Sequence, residues 1–167
     1  MTNAERIRLS IEGKWRRKQV NTCLIAWGAV LAGLLVICLF SALCTGGGLG
    51  IAMEIFLILA ASFSAVFIPL VLYYVNRLRG LFRDCKAYEL YDAVLDHPGT
   101  SWVYRGAVYY TVSFVTNDGE QVRMDTMPLW TGSVFADNPL EKYNNKRIDL
   151  LYDREGYRVI VLGLHNR

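Results

Sequence analysis

From Gln19 to Met53 the chain carries no charged residue. Within that stretch the run LIAWGAVLAGLLVICLFSALC (24–44) is long enough to cross a hydrocarbon core as one helix, which takes about 20 residues. TGGGLG (45–50) interrupts it, and four glycines in six residues make a poor helix and an easy reversal. A second uncharged run extends from Ile55 to Asn76. The spacing predicts two antiparallel spans, about 22–44 and 51–75, inside a hairpin covering 20–76. The first run exceeds the h-region of a signal peptide and a second follows at once, so no processing is expected.

The flanks carry the positive charge. Arg6, Arg8, Lys14, Arg16, Arg17 and Lys18 precede the first span; Arg77, Arg79, Arg83 and Lys86 follow the second; TGGGLG has none. The positive-inside rule then puts both termini in the cytoplasm, as in a multi-pass protein of the cell (inner) membrane. These ten residues are the expected membrane-surface basic set, facing an anionic inner leaflet.

Residues 1–19 read as a basic amphipathic cytoplasmic segment. Thr2 and Glu5 have capping-box spacing, and Ile7, Ile11 and Trp15 recur on one helical face. That stripe either lies on the leaflet or is an ordinary basic flank. Residues 77–87 read as a basic helical linker. Gly28, Ala29, Ala32 and Gly33, and again Ala60, Ala61, Ser64 and Ala65, form small-residue faces that suit close helix packing, between the spans or between copies. Pro69 is expected to kink the second helix, with Ser62 and Ser64 near enough to meet freed carbonyls. Glu54 is the one Asp, Glu, Lys or Arg between Lys18 and Arg77. It is the candidate intramembrane polar site, against an interfacial, solvated carboxylate.

The second part of the chain differs in kind. Residues 1–87 hold 10 Lys/Arg and 4 Asp/Glu, whereas 88–167 hold 8 and 11. An acidic, alternating half excludes nucleic acid as a partner. In VYYTVSFVTNDGEQVRMDT (108–126) apolar residues alternate on both sides of Asn117-Asp118-Gly119, which predicts a hairpin. Strands are expected at 88–95, with HPGT (97–100) as a break, then at 108–116, 121–127, 146–152 and 157–164. The last is apolar on both faces and so is expected to be central. Residues 127–145 read as a long loop with one helical turn. The expected fold is an α+β membrane protein: a transmembrane helical hairpin followed by a cytoplasmic domain (88–167), a small, mostly antiparallel β-barrel or sandwich of four to five strands.

The pattern Tyr110-x-Val112-x-Phe114, then Asp118-Gly119, then Arg147-Ile148-Asp149-Leu150-Leu151-Tyr152-Asp153 resembles a widespread bacterial family of membrane proteins, catalogued as a domain of unknown function. Its members pair one or two transmembrane helices with a small β-domain. The resemblance implies that architecture and brings no catalytic residues.

The sequence offers no chemical constellation. His97 and His165 stand apart from other metal-type ligands, the four cysteines form no Cys-x-x-Cys, and no nucleophile motif or phosphate loop is present. No cofactor and no catalytic or metal site are expected. Trp102, Tyr104, Trp130 and Phe135 are candidate interaction residues, or caps on the open ends of a barrel. The expected role is a non-enzymatic, membrane-tethered interaction or scaffold module with an unknown protein partner or a second copy of itself. The alternative is a subunit of an oligomeric channel or transport complex.

Overall fold

A computed structural model of the chain describes residues 1–45, 48–83, 85–100, 107–127, 129–130 and 139–164, with backbone alone at 45, 97–100, 107–108 and 129–130. Three helices come first: α1 (Asn3–Leu9), α2 (Ile11–Thr45) and α3 (Leu49–Phe82). Strands follow as β1 (Tyr88–Thr100), β2 (Ala107–Val115), β3 (Gln121–Asp125), β4 (Leu129–Trp130), β5 (Lys146–Asp153) and β6 (Arg158–Leu164), with a 3-10 turn at Glu141–Tyr143. The chain divides into two compact units, Arg16–Arg79 and Met1–Trp15 with Gly80–Arg167.

In the first unit, α2 and α3 are 35 and 34 residues long. Each therefore measures roughly 50 Å, against a hydrocarbon core of about 30 Å. Both are long and apolar enough to cross a membrane. Large apolar side chains such as Ile25, Phe40, Ile58 and Val66 lie exposed along them. Exposure falls every three or four residues, at Trp27, Leu31, Leu34 and Cys38 on α2 and at Ala52, Phe56, Ala60 and Ser64 on α3. That is the spacing of a helix–helix seam. The Trp27 indole N–H donates to Ser64 Oγ at 3.2 Å. Ser62 Oγ donates to the Ile58 carbonyl, so the described bonds of both serines lie away from Pro69, through which α3 continues.

The small residues of α2 do not make the seam. Gly28, Ala29, Ala32 and Gly33 are exposed, and a Cβ added at Gly28 or Gly33 would meet nothing within 4 Å. Ala60 and Ser64 of α3 do face α2.

The second unit is built on one antiparallel sheet in the order β3-β2-β1-β5-β6, with β4 beside β2. The sheet is open. The expectation of a barrel or sandwich fails because helices, rather than a second sheet, cover the apolar face. Ala93, Leu95, Val112, Phe114, Ile148, Leu150, Val159 and Val161 share that face by strand alternation and register, and Leu140, Tyr143, Ile11 and Trp15 pack against it. Tyr91, Phe114 and Tyr152 join there with ring centroids 5.0–6.1 Å apart.

Two strand expectations need correction. HPGT does not end β1, which is paired with β2 as far as Thr100. A register shift between Asp96 and Pro98 takes up one residue, and a bulge is where a strand tolerates proline. β6 is an edge strand; β1 is central. Its apolar residues point both ways because helices cover it on both sides. Val159 and Val161 belong to the core that receives Ile11 and Trp15, while Ile160, on the opposite face, is equally buried and α1 packs against the strand.

The hairpin at 117–119 is as read. Gly119 has φ 81°, and Thr116 and Glu120 close the loop through a 2.9 Å backbone bond. Beyond β3, Thr126 Oγ1 accepts from the Tyr110 N–H at 3.0 Å while its own N–H donates to the Tyr110 carbonyl. One side chain thus completes the β2 ladder where β3 stops.

Candidate functional site

The N-terminal segment gives the β unit its most distinctive surface. Thr2 and Glu5 form the capping box expected of them, which starts α1. The Glu5 carboxyl is held below its ordinary pKa by its hydrogen bond from the Thr2 backbone. Ser10 ends α1 and begins α2: its hydroxyl donates to the Ile7 carbonyl at 2.7 Å and accepts from the Gly13 N–H at 2.9 Å. Asn3 Nδ2 donates to the carbonyls of Cys85 and Tyr88, at 3.0 and 2.7 Å, and so fastens α1 to the segment that enters β1. Ile7 is fully buried, and Ile11 and Trp15 pack on the sheet's core. The apolar stripe therefore faces protein, not a leaflet. A helical stripe needs an apolar partner, and the sheet supplies it.

Between α1 and the sheet lies a cleft of about 530 Å³. Arg6 and Leu9 of α1 line it on one side, and Leu90 of β1, Asp149 of β5 and Leu162–Leu164 of β6 on the other, with Met1 and Tyr143 completing the lining. At one end of the same sheet a polar row crosses three strands. Tyr88 pairs with Asp153, which pairs with Arg158. Asp153 is buried, and its Oδ1 accepts from the N–H groups of Glu155 and Gly156, forming the turn into β6. Arg154 in that turn reaches Asp118 in the β2–β3 turn at 2.6 Å, an exposed pair worth at most about 1 kcal/mol.

Burial, then the Asp153 charge, raises the Tyr88 pKa; burial likewise raises Tyr110 and Tyr152, and the hydrogen bond to Glu89 raises Tyr91. A raised folded-state pKa means stability that is complete below the unfolded value of 10.0 and is lost as pH climbs through the folded one. The β unit is thus expected to lose stability as the pH rises past 10.0, followed by phenolate absorbance and near-ultraviolet circular dichroism. Changing both Tyr88 and Tyr152 to Phe should flatten the transition, and an unchanged slope would refute the assignment.

The other residues singled out in the sequence fall elsewhere. Trp102, Tyr104 and Phe135 lie outside the described residues, and Trp130 is placed only as backbone in β4, opposite Ala107. Glu54 is exposed in the second turn of α3, between the seam positions Ala52 and Phe56. Of the basic set, Lys14, Lys18, Arg77, Arg79, Arg83, Lys86 and Arg8 are exposed, with the Arg77 guanidinium 5.5 Å from the Tyr73 ring centre. Arg17 is half-buried. Two depart from the surface reading: Arg16 is buried, and Arg6 is half-buried in the cleft wall. Among the described residues no three His, Cys, Asp or Glu side chains gather as a metal would require. The cleft was not legible, because Leu9 and Leu90 are far apart in sequence and neither alone signals a site.

No protein-family model, no curated protein and no solved structure matches the chain.

Proposed function

We propose that the chain is a two-span protein of the cell membrane that holds its β unit on the cytoplasmic side as a non-enzymatic interaction or scaffold module. One observation carries this reading. The segment before α2 and the end of α3 both belong to the same compact unit as the sheet. Two helices whose outer ends are built into one folded unit must present those ends on the same side of a bilayer. The basic residues at both flanks, against none in 45–50, select the cytoplasm for that side. The exposed apolar surface of α2 and α3 supports insertion, because it would be costly in water. The resemblance of the β motifs to a membrane-anchored family agrees with this arrangement.

The test uses single cysteines in a chain whose native cysteines are replaced by serine. A membrane-impermeant maleimide applied to intact cells is expected to modify Gly48→Cys and to leave Glu155→Cys unmodified until the cells are opened. The reverse pattern, or release of the protein by carbonate at high pH, would overturn the reading. The second reading, an oligomeric channel or transport subunit, draws on the open face of Gly28, Ala29, Ala32 and Gly33. A monomer in mild detergent would exclude it.

A further inference from the structure

We propose that the cleft between α1 and the sheet binds a single-chain anionic amphiphile, a long-chain carboxylate, whose head meets Arg6 and whose hydrocarbon lies along the leucines. Leu9, Leu90 and Leu164 are 53%, 46% and 46% exposed, and all three line this one cleft. Such a gathering of exposed leucines beside Arg6 and Asp149 makes an amphipathic surface suited to binding. The volume of about 530 Å³ suits one small ligand.

Arg6 sets the charge of that ligand. The residue is half-buried at the wall, and among the described residues its side chain makes no hydrogen bond or ion pair. Asp149, on the facing wall, is already engaged. Five N–H donors in a fixed fork are left for an incoming carboxylate, which they match in a bidentate pair.

The strand edge argues against a peptide as the occupant. A peptide would add to β6 through its backbone, but β6 is bulged between Val161 and Gly163, where pairing is disrupted. The choice of a lipid-derived ligand rests on the membrane reading of α2 and α3. Leu9 stands two residues before α2 begins, and Leu90 eight residues after α3 ends, so both walls are tied by short connections to helices surrounded by acyl chains.

The test is photolabelling of the full chain in a neutral maltoside detergent with a diazirine-bearing palmitate. Saturable crosslinks are expected on the peptides carrying Leu9, Leu90 and Leu162–Leu164. Arg6→Gln should lower labelling about tenfold, the scale of one charge-assisted hydrogen bond, while Arg6→Lys should retain most of it. Leu90→Asn, an exposed position that tolerates the change, should also lower labelling. The corresponding diazirine alcohol should label wild type no better than palmitate labels Arg6→Gln. Crosslinks confined to residues 16–79, or equal labelling of wild type and Arg6→Gln, would overturn the site. Carbonate extraction tests the membrane reading separately: a chain that is extracted yet labelled at the cleft sinks that reading and keeps the site.

Discussion

Deleting residues 2–9 is expected to unfold the β unit while leaving α2 and α3 helical. These eight residues contain all of α1, which packs against β6 over the face that carries Leu151 and Ile160. Ile7, Leu151 and Ile160 are all but fully buried. Losing the burial of Ile7 and uncovering Leu151 and Ile160 costs on the order of 5–9 kcal/mol, an upper estimate because a denatured chain is itself partly collapsed. A unit of this size has a total stability of about 5–15 kcal/mol, so the loss is comparable with the whole. The deletion also removes the two bonds that Asn3 makes to the segment leading into β1. Near-ultraviolet circular dichroism should collapse, and trypsin should cut at Arg123, Arg147 and Arg158, which lie within strands of the wild-type sheet. A synthetic peptide of residues 1–15 should restore protection. The single change Ile7→Ala, at about 2–5 kcal/mol, should act in the same direction. A deletion variant as resistant as wild type would show that α1 is an appendage.

That dependence explains which parts of the fold could be read from the sequence. Strand positions were legible because alternation survives whatever covers the sheet: 108–116 and 146–152 match β2 and β5 to within a residue. What covers the sheet was not. The i, i+4, i+8 spacing of Ile7, Ile11 and Trp15 records that a helix has an apolar side, but a leaflet and a protein core leave the same record. The error about β6 has the same origin. RVIVLGL is apolar on both faces, the mark of a strand buried on both sides, and neighbouring strands are only one way to be buried so. HPGT read as a stop because proline removes a donor; a bulge, set by pairing with β2, cannot be seen in one strand alone. In the candidate site, Arg6 was visible only as one basic residue among ten. Its distinguishing property, a half-buried arginine in one cleft with leucines from β1 and β6, exists only after the chain has folded back.

Glycines show the same limit and give the second large expected effect. Gly13 is expected to be intolerant of any side chain, whereas Gly28 and Gly33, in the same helix, accept alanine. All three look alike as helix-weakening residues. In the structure a Cβ at Gly13 would overlap the Ile7 carbonyl oxygen and lie 3.1 Å from Ser10 Oγ, where the chain turns from α1 into α2. Backbone and a buried serine are what it would strike, and neither can swing aside. The Gly13 N–H is also the donor that Ser10 caps. Relief requires α1 to move off the sheet, which couples this one position to the packing of Ile7. Gly13→Ala should cost at least the 1–3 kcal/mol typical of overpacking. For a unit of about 100 residues this lowers the melting temperature by roughly 5–20 °C. Gly28→Ala and Gly33→Ala should leave the melting of the β unit unchanged, because an added Cβ meets nothing. Near-ultraviolet melting curves of the three variants decide the matter. If Gly13→Ala melts with wild type, the α1–α2 corner is free to relax and α1 is held less firmly than its burial implies.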